Sequence, residues 1–595
     1  MFQPNEAHRQ EEMYSDVKKL APVVQKRLEA SWSEFFYRET FSHIPESLFE
    51  PLYSANSSRP NVAVNVLVGL LFLKAAFGWS DEEMYDNFCY DLQVRYALGY
   101  RDMSSGYFCL RSYYHFTRRL AEYNEKTGQN LLLTAFEQIT QTQLGRLKLF
   151  SSHQRMDSSQ IASNIRSYSR LQLLVEIMRR VHRDLSAADQ ARLAGLFAPY
   201  IQESSSHYLY RLKGSYDEAL LQLGQVMSQL VTELAANYGE QTSYLQLVRV
   251  FQEHFSLEPT VRAKVGVELR AASLQSPDDP EATYRHKAGQ DYIGYVVNVT
   301  ETCHPDNPFQ LIMAVQTEPN NTDDAAMLQE ILPALKSRTD LKELITDGGY
   351  NSAPVDETLR TEGVVLTQTA IRGRQPNPNT FSLATCDITL DPQSQEPTHL
   401  TAPDGQTVPV EPGRKAERFI ARWTTEPAPI ENESSTLNHP TPPTSDLATT
   451  PDEPSAPDLA TTLDEPSAPV VTPPAPPPVF YFSRHDLDLA LRRQRTSLFS
   501  QTDGNPRAAV ESTIAAIKRP FRQGKVPLRG KFRVTMMMLG AAMMVNVRRM
   551  TRALATKKGL FPFSTPQPSW VSTFWRHLLA LFPLPLSPNF RLSWF

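Results

Sequence analysis

Cysteine is scarce in this sequence. Four cysteines occur among 595 residues, and no two of them form a CxxC pair. Close cysteine pairs are typical of zinc fingers, and small secreted domains carry denser sets that form disulfide frameworks. The scarcity therefore disfavours both kinds of protein, and it favours a reducing, cytoplasmic location.

Charge of one sign and long hydrophobic runs are also missing. Lys and Arg number 60 against 65 Asp and Glu, a net charge of -5, which excludes a uniformly basic DNA coat but permits a local basic patch. The most apolar stretches are residues 62–77, which contain two polar residues, and residues 535–547. About 20 apolar residues are needed to cross a bilayer. We therefore expect two buried helices and no membrane partner.

Glycine is outnumbered by proline, 24 to 45, and the position of the prolines explains the imbalance. Residues 446–457 (DLATTPDEPSAP) are repeated almost unchanged at 458–469, and a run of prolines follows. A segment of Pro, Thr, Ser, Ala and acidic residues buries too little apolar surface to fold. Residues 424–478 are therefore predicted to be disordered, within an insertion over residues 376–480.

The rest of the chain predicts a mixed α/β protein. Residues 1–145 read as a helical domain, in which Ser80 and Glu83 predict a capping box at a helix start. A strand is expected to end near Asp157. Residues 168–268 form a mainly helical insertion. Strands at 292–299, 309–315, 341–346 and 364–370 then alternate with helices, which is typical of an α/β sheet. Order is expected to return at 481–555, and the tail at 556–595 has no assignment.

Two aspartates follow predicted strands. Asp157 and Asp347 each stand where open α/β sheets usually place their ligands, and two carboxylates can hold a divalent cation. Taken alone, an aspartate at a strand end is far more often a turn or cap residue than a ligand. Tyr350 follows the second aspartate, where it would stack on a base or pack in the core.

Glu511 is the single acid among 13 Lys and Arg between residues 505 and 560. Helical spacing predicts an apolar stripe that docks its helix, with Arg507, Glu511 and Lys518 on an adjacent face. An acid among cations on a docked helix is either an ion-pair partner or a metal ligand beside phosphate-binding cations.

These residues resemble a known catalytic pattern. Asp157 in RMDSSQI, Asp347 in LITDGGY and Glu511 in RAAVESTIAAIK resemble the DDE triad of bacterial insertion-sequence transposases. The family signature around the glutamate is Y-x2-R-x3-E-x6-K. Arg507, Glu511 and Lys518 match it, whereas Gly504 stands in the tyrosine position.

The resemblance extends over much of the chain. Residues 52–84 resemble the helical domain that precedes the catalytic core in one branch of the family. Residues 280–295 resemble its D-x-x-A-x-x-x-K-x-G…GY stretch, and residues 539–550 resemble its closing helix. The insertion at 376–480, with its repeat, departs from the family pattern.

The resemblance implies a helical DNA-binding domain at residues 1–145 and a ribonuclease H-like (retroviral integrase-like) catalytic core in two parts, residues 146–375 and 481–555. It also implies two-metal phosphoryl transfer at Asp157, Asp347 and Glu511, with Mg²⁺ or Mn²⁺. It implies a nucleoid-associated homodimer that binds the inverted repeats at the element's ends and a target DNA, with no small-molecule substrate. The candidate DNA-binding residues are Arg507, Lys518, Tyr350, Lys287, Arg519, Lys525, Arg529, Lys531, Arg533, Arg111, Arg118 and Arg119.

Two alternatives remain open. A metal-dependent nuclease of the same fold would cut DNA without strand transfer, and a decayed DNA-binding protein would bind without cutting. Basic runs are also often merely solvated, and Arg507 and Lys518 have an alternative role as ion-pair partners of Glu511. The presence of all three acids argues against simple decay, while Gly504 and the repeat leave room for drift.

Overall fold

The structure is a computed structural model that describes residues 2–10, 15–54, 60–287, 289–371, 377, 380–392, 394–423, 475–500 and 506–557, without the side chains of 499, 500, 506–508 and 555–557. Gly504, the Arg507 side chain, the proline-rich repeat and residues 558–595 therefore lie outside the described part. The chain divides into two compact units. The first comprises Met1–Thr346, Thr358–Val365 and Asn505–Phe595, and the second comprises Asp347–Glu357 and Leu366–Gly504.

The first unit begins with helices, which are α1 (Pro22–Glu29), α2 (Trp32–Glu39), α3 (Val64–Phe77), α4 (Asp81–Tyr90), α5 (Leu92–Ala97), α6 (Leu110–Thr127) and α7 (Leu131–Arg146). The predicted capping box is present at the start of α4. The Ser80 hydroxyl accepts the Glu83 N–H, and the Glu83 carboxylate accepts the Ser80 N–H. These bonds satisfy two backbone donors that a helix start leaves unpaired.

The apolar helix α3 lies in the core, as the sequence predicts. Its residues from Val64 to Ala76 are buried, and α18 (Lys531–Lys557) packs against it. Gly540 permits this close approach, because a Cβ there would lie 2.6 Å from the Ala75 Cβ. Within the described residues no single helix is long and apolar enough to cross a membrane; α3 and α4 meet that test only together, bent by 114°.

The strands that begin in the first unit are β1 (His153–Ala162), β2 (Phe255–Leu257), β3 (Val261–Ala263), β4 (Thr283–Lys287), β5 (Gln290–Thr302), β6 (Ile312–Pro319), β7 (Glu343–Thr346) and β8 (Val365–Gln368). Strand β1 pairs antiparallel with β5 and parallel with β7, and β5 also pairs antiparallel with β4 and β6. The Val365 N–H at the start of β8 donates to the Lys342 carbonyl oxygen beside β7. The result is a mixed sheet with β1 inside it.

Most of these elements match the sequence expectation. The strands predicted at 292–299, 309–315, 341–346 and 364–370 overlap β5, β6, β7 and β8. Helix α14 (Asp324–Arg338) connects β6 to β7, and α15 (Ala353–Glu362) leads to β8. Strand β4 was not predicted. The mixed α/β class is therefore as expected.

A helical insertion separates β1 from β4. Its helices are α8 (Arg170–Asp184), α9 (Ala187–Arg192), α10 (Ala194–Ile201), α11 (Ser205–Tyr210), α12 (Tyr216–Tyr238) and α13 (Thr242–His254). They bury a separate apolar cluster, in which Leu174, Phe197 and Leu223 are fully buried. Strands β2 and β3 form a small hairpin after α13.

The second unit contains an antiparallel sheet that the sequence did not reveal. Its strands are β9 (Asp387–Leu390), β10 (Pro397–Thr401), β11 (Thr407–Pro412), β12 (Arg418–Arg422) and β13 (Val479–Ser483), each paired with the next. Helix α16 (Arg484–Ser500), predicted as part of the catalytic core, shares an apolar cluster with this sheet through Leu487. Helix α17 (Pro506–Lys518) follows α16 and precedes α18, and it belongs to the first unit.

Candidate active site

Asp157 lies in the middle of β1, not at the end of a strand as the sequence suggested. It is opposite Val299 of β5, and only 7% of it is exposed. Strand β1 continues to Ala162 because β5 runs alongside it as far as Gly294. A Cβ at Gly294 would lie 2.3 Å from the Ile161 carbonyl oxygen, and its φ of 146° favours glycine.

The two faces of β1 meet different helices. Successive side chains of a strand point to opposite faces of the sheet. Asp157 and Ser159 therefore lie on one face of β1, and Ser158 lies on the other. The Ser158 hydroxyl donates to Asp324 Oδ1 at 2.7 Å, which places α14 on its face. The Lys518 ammonium of α17 donates to Ser159 Oγ at 2.7 Å. Helix α17 therefore lies on the face of β1 that carries Asp157.

The predicted apolar stripe docks α17. Val510, Ile514, Ile517 and Phe521 are all buried, whereas Glu511 is exposed. Glu511 and Lys518 are seven residues apart and therefore lie on one helix face. Burial lowers the pKa of the Lys518 ammonium. The bond from Lys518 to Ser159 makes Lys518 a bridge between the helix of Glu511 and the strand of Asp157.

A buried polar cluster, which sequence reasoning missed, holds the same elements together. Glu301 of β5 is fully buried, and its carboxylate forms ion pairs of 2.6 Å with both Arg155 of β1 and Arg549 of α18. The Thr513 hydroxyl of α17 donates to the same carboxylate at 2.8 Å, and Arg549 also donates to Thr513. We call Arg155, Glu301, Thr513 and Arg549 the Glu301 cluster. No local sequence signal marks it, since its members are as many as 394 positions apart.

The segment after α17 pairs with the end of β1. The Val526 N–H donates to the Ala162 carbonyl oxygen at 3.1 Å, and Asn164 Nδ2 donates to the Pro527 carbonyl oxygen at 3.1 Å. Two predicted DNA-binding cations take part, because Lys525 Nζ and Arg529 Nε donate to backbone carbonyls of Ile165 and Asn164. These side chains order the loop that follows β1.

The other predicted cations differ in their surroundings. Lys531 forms an ion pair of 2.7 Å with Glu318. Lys287, Arg519 and Arg533 are exposed.

On α6, the candidate DNA-binding residues Arg111, Arg118 and Arg119 are exposed. Arg118 lies 3.5 Å from Glu122, and the Arg119 guanidinium lies over the Tyr53 ring at 5.4 Å. Exposed cations at these positions are available to phosphates.

Asp347 is the first residue of the second unit and directly follows Thr346, the last residue of β7. Its carboxylate accepts the Gly349 N–H at 2.7 Å, and its carbonyl oxygen accepts a bond from Gln368 Nε2. Tyr350 is fully buried, which agrees with the packing role and not with a ring presented to a base.

The side chains of the described residues do not form a ready metal site. Among them, no group of three or more His, Cys, Asp or Glu is arranged to hold a metal ion. The donor set of Asp157, Asp347 and Glu511 nonetheless suits Mg²⁺ chemically, since hard carboxylate oxygens are its preferred protein ligands.

Residues 25–106 match the family of the transposase domain DUF772. This match supports a transposase, and with it an enzyme that cuts and transfers DNA. The matched transposase domain runs from within α1 through α5 and stops before α6 and β1. The matched residues therefore include none of Asp157, Asp347 and Glu511. No curated protein and no solved structure matches the chain.

Proposed function

We propose that the protein is the transposase of an insertion sequence, a DDE enzyme that binds the terminal inverted repeats of its element and cuts and joins their strands. The matched transposase domain supports the general class. The mixed sheet, with β1 between antiparallel β5 and parallel β7 and with helices on both faces, supports a ribonuclease H-like core.

One observation carries the catalytic part of the proposal. Lys518, from the signature around Glu511, donates to Ser159, two residues beyond Asp157 on the same face of β1. Residues of two motifs more than 350 positions apart in sequence are thus brought into direct contact. In the proposal Asp157, Asp347 and Glu511 would hold Mg²⁺, with Mn²⁺ as a substitute. When bound, the ions would activate water or a DNA 3′-hydroxyl and stabilise the leaving oxygen.

The protein's own groups would orient the DNA. The partly buried Lys518 presents its charge beside β1, where a phosphate near the cut strand would meet it. Arg507 would bind the same strand, and the exposed arginines of α6 would contact the DNA backbone further away. The proposed assembly is a homodimer that bridges two element ends.

Cleavage of DNA that carries the element's own ends tests this function. With Mg²⁺, the native protein should cut at the ends, and Glu511→Gln should reduce cutting by at least a hundredfold while leaving DNA binding intact. The loss is expected because the amide removes one negatively charged ligand without changing the shape of the side chain. Glu330→Gln is a matched control, since Glu330 is exposed on α14, against the opposite face of β1.

The outcomes separate the candidate functions. Cutting without joining to a target would identify a nuclease. Binding without cutting by the native protein would identify a decayed transposase. Equal cutting by native protein and Glu511→Gln would refute the assignment of Glu511.

A further inference from the structure

A groove with three arginines in its lining lies between the matched transposase domain and α18. Its volume is about 620 Å³. Its lining includes Leu28 and Trp32 on one side and Thr551 on the other. Three arginines, Arg27, Arg548 and Arg552, also line it, and none of the described residues that line it is acidic. We call this site the arginine groove.

Aromatic rings fix the central arginine of the groove. The Arg548 guanidinium lies over the Phe77 ring at 5.6 Å from its centroid. Phe77 is in turn packed between Trp32, at 5.3 Å, and Trp79, at 4.6 Å. A guanidinium held over an aromatic ring loses less freedom when it binds a ligand.

Like charges gather around Arg548. Burial lowers the pKa of its guanidinium, and the charges of Arg519 and Arg552 lower it further. Arg519 and Arg552 are exposed. Neighbouring cations repel one another, so the free energy of the folded protein falls when an anion enters between them. The planar fork of arginine matches the two free oxygens of a phosphodiester.

We infer that the arginine groove, extended by Arg519, binds phosphodiesters of the DNA backbone. This inference rests on the proposed function. The position of Arg519 favours DNA over a small anion, because Arg519 directly follows Lys518 at the end of the helix that carries Glu511. A nucleic acid strand would carry several phosphates, enough to contact both Arg519 and the groove, whereas a small anion would contact only one of them. The groove would hold DNA outside the cut site and without regard to base sequence.

The test is the salt dependence of DNA binding by the full-length protein, with EDTA present to prevent cleavage. Affinities are measured by fluorescence anisotropy on two duplexes, one with the element's ends and one of unrelated sequence. Each lost phosphate contact lowers the slope of log K against log salt by about 1. The double variant Arg519→Gln/Arg552→Gln should therefore lower the slope by about 2, on both duplexes.

Arg183→Gln is the matched control, because Arg183 is on α8, has a side chain that is 72% exposed and pairs with Asp184 at 3.7 Å. It should leave the slope unchanged. Unfolding midpoints of all variants show whether the fold is kept.

An unchanged slope in the double variant would overturn the inference while the proposed function stands, provided that the native protein still cuts the element's ends. Loss of affinity for the element's ends alone would also overturn it, because it would indicate base recognition. A native protein that binds neither duplex would refute the inference and the proposed function together.

Discussion

At the scale of single residues, His254 shows how burial changes chemistry without any link to the proposed site. It lies at the end of α13 in the helical insertion and is 7% exposed. Neither ring nitrogen has a hydrogen-bond partner within the described part of the chain. Burial first, and then the charges of Arg170 and Lys264, lower the pKa of His254 from 6.5 to about 4.

This pKa predicts an acid-sensitive insertion. As the pH falls from 6.5 to 4, the unfolded chain binds a proton at His254 while the folded protein does not, so the unfolded state is favoured. The difference corresponds to about 3 kcal/mol of stability that is present above pH 6.5 and lost as the pH falls to 4.

Urea unfolding between pH 7 and pH 4 measures the effect. His254→Leu should remove this part of the pH dependence, and His399→Leu, at an exposed histidine of β10, should leave it unchanged. The assignment fails if the native protein and His254→Leu lose stability in parallel.

At the scale of secondary-structure elements, the Glu301 cluster determines where α17 and α18 lie against the sheet. The apolar stripe of α17 specifies which face is buried but not its position along β1. The hydroxyl of Thr513 and the guanidinium of Arg549 meet one carboxylate, and that geometry fixes both helices at once. Hydrogen bonds and ion pairs are directional, so they fix the position of a helix along the sheet, which apolar contacts alone do not.

Removing the shared carboxylate should therefore be costly. Glu301→Gln leaves the buried guanidinium of Arg155 and the partly buried one of Arg549 without their counter-charge, and loss of one partner from a buried ion pair costs about 3–5 kcal/mol. Urea unfolding at neutral pH measures this loss. Glu318→Gln is the control, since it removes a single ion pair with the more exposed Lys531 and should cost about 0–1 kcal/mol.

A cost below about 1 kcal/mol for Glu301→Gln would show that the cluster does not fix the helices. If folded Glu301→Gln protein also loses cleavage of element ends, the cluster positions α17 for catalysis as well as for stability.

At the scale of the whole molecule, the proline-rich segment connects β12 and β13, two paired strands of the second unit. Arg422 of β12 is paired with Val479 of β13, and the Trp423 N–H donates to the Pro478 carbonyl oxygen. The chain thus leaves and re-enters the sheet at neighbouring positions. The entropic cost of closing such a pair rises only slowly with the length of the connection, by about 0.6 kcal/mol for each doubling.

Replacing residues 426–475 by a Gly-Ser linker of about five residues should leave the fold intact, since hairpin loops of about two to five residues join such strands readily. The unfolding midpoint should equal or exceed that of the native protein, because a shorter loop costs less entropy to close, and the cleavage of element ends should be unchanged. A lower midpoint would show that the segment stabilises the second unit, and lost cleavage with an unchanged midpoint would show that it acts in the reaction.

The sequence predicted the elements that carry strong local patterns. The apolar helix α3, the capping box at Ser80 and the strands β5 to β8 follow from burial and periodicity alone. The strands β9 to β13 were not predicted, because they are short and their apolar and polar residues alternate weakly. Such strands are stabilised by pairing with their neighbours more than by the preferences of their own residues. Strand β4 was missed for the same reason.

The candidate site likewise combines residues that local sequence identifies with contacts that only the fold creates. By itself, the sequence determined which residues the proposal assigns to the chemistry, because the motifs around Asp157, Asp347 and Glu511 are read from their neighbours in the chain. Only the tertiary structure decided that Asp157 lies inside β1, that Lys518 contacts Ser159, and that Glu301 joins two helices to the sheet. Contacts between residues hundreds of positions apart depend on the packing of the whole core, and local sequence contains no record of them.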